Sequence, residues 1–178
     1  MLWVLATLVA VVAQTARNAM QNRLTSQLGT LGATQVRFLY GLPFSLLFLV
    51  AAAAIAHAPI PAPQGNFLSS VSAGAVAQIG GTALLLAAMQ ARSFSVAIAF
   101  SKTEAVQIAI FGLVLLGDPL TPLRAAAILL TTAGVFVTAV RPGEKWDTNS
   151  VLPALYGIGS GGLYAIAAIG FRGAILAL

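Results

Sequence analysis

Residues 94–122 read FSVAIAFSKTEAVQIAIFGLVLLGDPLTP, and the class of the whole chain follows from this stretch. Its first 23 residues, Phe94 to Leu116, carry only two charges, Lys102 and Glu104. An α-helix crosses the hydrocarbon core of a bilayer with about 20 mainly apolar residues, so this run predicts a spanning helix. Gly117-Asp118-Pro119 ends it, since glycine suits the position after a helix and proline stops propagation. Thr121-Pro122 opens the next helix, with threonine as N-cap and proline at the first helical position.

Reading outward gives five such segments and a sixth that runs to the end of the sequence. The first spans about Leu2 to Leu24, the second about Ala33 to His57, and the third about Phe67 to Ala91. Between the second and third, Pro59, Pro61 and Pro63 alternate and favour an extended loop. Arg92-Ser93 reads as a tight turn. The fifth segment closes at Arg141-Pro142-Gly143, and the sixth runs from near Val151 to Leu178. Residues 141–150 hold the one cluster of charges in the chain and sit in water, with Trp146 at headgroup level. The expected organisation is a five-helix unit over 1–141, a polar linker over 142–150, and over 151–178 the first helix of a second unit. No polar tail follows that helix, so a truncated sequence is expected.

Composition agrees. Of 178 residues, 59% are hydrophobic and 7% charged, against roughly 25% charged in soluble domains; mean hydropathy is +0.95. So few charges cannot clothe a water-facing surface, and the fold class is an all-α, polytopic transmembrane helix bundle. The apolar N-terminus lacks a basic leader and reads as a spanning helix rather than a signal peptide. The net charge of +5 is scattered singly, with no stripe to track a phosphate backbone, so no nucleic-acid partner is expected. There is no cysteine and one histidine, His57, at a helix end beside the proline loop. No metal or cofactor is expected, no phosphate loop or glycine-framed serine appears, and the chain does not read as an enzyme. Arg23, Arg37, Arg92, Arg141 and Lys145 read as boundary charges on one side and Arg124 on the other, which places the N-terminus outside.

Ionisable residues inside a spanning segment carry the chemistry, because each costs about 2.5–3.5 kcal/mol at the bilayer centre unless it faces a cavity or a partner. Lys102 and Glu104 lie about 14–17 Å into the fourth segment, near the midplane. Two apart on a continuous helix, they point about 200° away from each other and need separate partners. Glu104 is the candidate for proton coupling. In the first segment Gln14, Arg17, Asn18 and Gln21 share one face by their i, i+3, i+4, i+7 spacing. An arginine flanked by amides suits a carboxylate-bearing solute. Pro43 predicts a kink in the second segment. Gly80-Gly81 and the set Gly157, Gly159, Gly161 and Gly162 permit close helix approach.

Phe171-Arg172-Gly173-Ala174 echoes Ala16-Arg17-Asn18-Ala19 at an offset of 155 residues, while matching Arg23 with Arg172 gives 149. A repeat of five helices forces the second copy to insert upside down. Residues 93–97 through Leu115-Leu116-Gly117-Asp118-Pro119-Leu120, followed by Gly134-Val135, resemble the EamA-type drug/metabolite transporters. The resemblance implies ten helices in a five-plus-five arrangement and transport, often export, of amino acids or other small metabolites. That pattern usually has proline 13 positions before the acid, where this chain has Ala105, which weakens the expected helix break. Gly117-Asp118 replaces the commoner Gly-Glu, and Lys102 and Glu104 are more polar than is typical there.

The expectation is a secondary transporter, an exporter of small polar metabolites such as amino acids, in the cell (inner) membrane. Gln14, Arg17, Asn18, Lys102, Glu104 and Arg172 would bind the solute, with the first, third, fourth and sixth segments lining the cavity. The alternatives are an exporter of cationic drugs, with Glu104 as counter-charge, and a non-transporting membrane scaffold. The partners are a small-molecule solute and membrane lipid, with a homodimer or a missing C-terminal half completing the pathway.

Overall fold

The computed structural model describes residues 2–57, 61–91, 94–117, 119–139 and 151–178. The expected linker at 142–150, the Arg92-Ser93 turn, and Asp118, Arg141, Lys145 and Trp146 lie outside the described residues. The rest is all-α, with α1 at Leu2–Ala56, α2 at Phe67–Ala91, α3 at Phe94–Ser101, α4 at Glu104–Leu116, α5 at Pro122–Ala139 and α6 at Val151–Ile175. Four helical stretches among the described residues are long and apolar enough to cross a membrane: Trp3–Ala56, Phe67–Ala91, Val96–Leu115 and Val151–Ile175. Leucine, valine and phenylalanine side chains are exposed along the length of α1, as an outer face against lipid requires.

The first two expected segments are both present and meet inside α1. Helix continues through most of the stretch between them, and within it Thr25, Ser26 and Thr34 return their hydroxyls to the carbonyls of Gln21, Arg23 and Thr30, which satisfies these polar groups locally. The chain turns at Gly29 alone, at φ 72° and ψ 172°, a region essentially reserved for glycine. The turn is sharp. Gln21 and Arg37 would stand about 24 Å apart on a straight helix, yet the Arg37 guanidinium donates to Gln21 Oε1 at 3.2 Å. Pro43 lies within α1, where Gly29 is the residue with non-helical φ/ψ; the proline does not break the helix.

Local signals set the other ends. His57 leaves α1 at φ 49°, and Gly65 at φ 50° precedes α2. Gly117 closes α4 in the left-handed conformation, its N–H donating to Gly112 O. Thr121 Oγ1 accepts from the Arg124 N–H at 3.4 Å at the start of α5.

The fourth expected segment is not one helix. It breaks at Lys102-Thr103 into α3 and α4 although Ala105 stands where the resemblance pattern has proline. Around the break the bonds tighten: Thr103 N–H reaches Phe100 O, and Ala105 N–H reaches Lys102 O. Thr103 Oγ1 donates to Phe100 O at 2.7 Å and accepts from Gln107 Nε2 at 3.1 Å.

α6 holds the bundle together, packing on α2, α3 and α4. Gly74, Gly81 and Gly170 bring α2 and α6 into backbone range; a Cβ at Gly170 would lie 2.8 Å from Ser70 O and 2.9 Å from Gly74 Cα. Ser160 Oγ donates to Gly81 O at 2.8 Å, and the Tyr164 hydroxyl donates to Thr82 Oγ1 at 3.1 Å. Without a hydrophobic force between helices in lipid, such close approach and cross-helix hydrogen bonding carry association. Gly157 and Gly161 face the α3–α4 junction: their added Cβ atoms would meet Phe100 Cβ at 2.5 Å and Ser101 O at 2.9 Å.

Candidate functional site

Helical periodicity builds the first wall. Ala10, Ala13, Gln14, Arg17 and Asn18 follow an i, i+3, i+4, i+7, i+8 stripe on the first arm of α1. They face a cavity of about 490 Å³. Two alanines leave room, and the longer polar side chains fill the next turn. Arg37, from the second arm, enters the same cavity across the Gly29 turn. α2 supplies Gln78 and Leu85, α3 supplies Ile98 and Ser101, and α6 supplies Tyr164.

The helix break supplies the rest. On an unbroken helix Lys102 and Glu104 would point to opposite sides, but both line this cavity. The break also explains how two charges are tolerated there. Lys102 directly follows the C-terminus of α3, and Glu104 opens α4. The partial negative charge of a helix C-terminus favours a cation, and the partial positive charge of an N-terminus favours an anion, by about 0.3–1 kcal/mol each. Each residue sits at the helix end that suits its sign.

Five of the six residues expected at the site therefore converge: Gln14, Arg17, Asn18, Lys102 and Glu104. Arg172 does not join them; it lies exposed in the last turn of α6, outside the cavity lining. Arg37, expected as a boundary charge, lies instead in the wall. Gln78 and Tyr164 are further additions, and a hydrophilic side chain mid-segment was the available signal for Gln78. Gln21, on the face of Arg17, is 7% exposed and serves as the acceptor for Arg37, while its Nε2 has no hydrogen-bond partner.

The lining holds three cations, Arg17, Arg37 and Lys102, and one anion, Glu104, for a formal balance of 3 − 1 = +2. The Arg37 guanidinium lies 5.5 Å from the Phe38 ring centroid, within cation–π range. A second, smaller pocket of about 330 Å³ between α4 and α5 is lined by apolar side chains with Arg124 as its one charge. It offers a solute no convergent polar groups. The larger cavity has the size and mix of polar and apolar walls of a small-molecule site.

A model of the EamA-like transporter family matches residues 1–140, which cover the cavity walls from α1 to α4. Searches of curated proteins and of solved structures each returned no match.

Proposed function

Because the chain belongs to the EamA-like transporter family, and is thus a multi-pass membrane protein of a transporter family, we propose that it is a secondary transporter, an exporter of small polar metabolites carrying a carboxylate, amino acids among them. The cell (inner) membrane is its proposed location. The observation that carries this reading is the cavity in which Gln14, Arg17 and Asn18 meet Lys102 and Glu104. Charges at mid-bilayer depth persist where they border a watery route, and an arginine with neighbouring amides binds a carboxylate through paired hydrogen bonds.

Glu104 is the proton-coupling residue in this reading, and Lys102 with Arg17 sets charge selectivity. The balance of +2 in the lining speaks against cationic drugs as cargo, since a cation would enter against two unneutralised charges. Export follows the family resemblance. The second five-helix unit suggested by the sequence belongs to the same proposal, with α6 as its first helix and Arg172 on that helix.

Liposomes containing the protein test it, with counterflow of labelled amino acids measured beside a quaternary amine. Arg17→Ala should abolish amino-acid exchange. Glu104→Gln should leave exchange without a gradient intact but remove its acceleration by a proton gradient. Loss of quaternary-amine transport alone in Glu104→Gln would turn the assignment to cationic drugs. No solute movement by the unaltered protein, together with an unharmed fold when Lys102 and Glu104 are both replaced by leucine, would establish a scaffold instead.

A further inference from the structure

Resting on that transport reading, we propose that the cavity selects small solutes bearing two anionic groups, a dicarboxylate or an acidic amino acid, and that Arg17 and Arg37 are the pair that receives them. Their convergence depends on the turn at Gly29. Gln21 and Arg37 stand eight residues before and after it, about 12 Å along each arm. The Gln21–Arg37 hydrogen bond fixes the guanidinium at that depth.

The partners of Arg37 are neutral: the Gln21 amide oxygen at 3.2 Å and the Phe38 ring. Arg17 and Arg37 line one cavity. Glu104 is the single acidic side chain among the described residues, and it lines the same cavity as Lys102. Lys102 and Glu104 offset each other formally, which leaves the two arginines as the excess charge. Like charges in a weakly screened site need counter-charge, and a guanidinium presents the planar fork that matches a carboxylate. One carboxylate satisfies one arginine. A neutral amino acid also brings an ammonium into a lining already at +2, whereas a dicarboxylate brings the balance to zero.

The preference predicts a sharp experiment on the full chain in lipid nanodiscs and liposomes. Binding and counterflow are measured with succinate, aspartate and alanine as probes. Succinate and aspartate should bind more tightly than alanine. Arg37→Gln should weaken succinate by about 10- to 100-fold, the range of a lost charge-assisted hydrogen bond, and weaken alanine by a clearly smaller factor. Arg37→Lys keeps the cation and a donor to Gln21 but loses the fork; it should reduce succinate binding with the melting profile unchanged, which covers the case where the glutamine variant unfolds. Alanine bound and exchanged as well as succinate, or both weakened equally by either Arg37 variant, overturns the two-anion preference and leaves transport standing. No binding or counterflow of any probe overturns both.

Discussion

Gly161→Ala perturbs the site through a single methyl group placed where no room exists. Its Cβ would stand 2.9 Å from Ser101 O, 3.0 Å from Glu104 N and 3.0 Å from Thr103 Oγ1. Two of these are backbone atoms of the α3–α4 junction, which cannot rotate away as a side-chain tip can. Ordinary carbon contacts lie near 3.5–4.0 Å, so α6 must retreat by about half an ångström or the junction must deform. Overpacking of this kind costs about 1–3 kcal/mol. Gly41→Ala is the matched control, because a Cβ there meets nothing within 4 Å and alanine is favoured over glycine in a helix by about 0.5–1 kcal/mol. That propensity gain is common to both variants, so the difference between them isolates the clash. Thermal unfolding in detergent should separate them by several degrees, at about 2–4 °C per kcal/mol for a chain of this length. Solute binding should fall in Gly161→Ala alone, since the displaced segment carries Lys102 and Glu104. Equal melting temperatures and equal binding for the two variants would refute the claim that α6 braces the break.

Two further outcomes follow from the backbone. Gly29→Ala should lose about 1–3 kcal/mol, the range for a residue held in a sparsely populated region, although a Cβ there meets nothing within 4 Å; unfolding as late as the parent protein would show that the turn is not strained. Exchanging the charges, with Lys102→Glu and Glu104→Lys together, keeps the cavity at +2 but sets each charge against the wrong helix end. With each favourable contribution of about 0.3–1 kcal/mol reversed in sign, the variant should lose about 0.6–2 kcal/mol per site while still preferring anionic solutes. A double exchange that melts no lower than the parent would remove the helix-end account of these charges.

Where a helix end was written into adjacent residues, it was legible. Gly117 before Pro119, Thr121 before Pro122, and the proline stretch before Phe67 each act through their own backbone, and the helices end where those residues require. The break at Lys102-Thr103 has no such author. Ser101, Lys102, Thr103 and Glu104 all tolerate a helix, so nothing local demands an interruption, and the residue pattern with Ala105 argued for less of one. What favours the break lies elsewhere in the chain: the missing side chain of Gly161 against Ser101 O, and the Gln107 amide that reaches Ile158 O at 3.3 Å as well as Thr103 Oγ1. Pro43 lies within α1, and the helix runs on through that residue.

The same division separates the site residues that periodicity could find from those it could not. Gln14, Arg17 and Asn18 share a face whatever the helix packs against, so their grouping was readable before any partner was known. Arg37 reaches Gln21 and the cavity that Arg17 lines only because the arms of α1 fold together at Gly29, and Tyr164 reaches the cavity only because α6 docks through its glycines. Lys102 and Glu104 were noticed as charges, but a continuous helix put them on opposite sides. Both nevertheless line one cavity, Lys102 just after the end of α3 and Glu104 at the start of α4. Two charges that share one cavity cancel formally there, and that leaves the arginines of α1 to define what charge the cavity accepts.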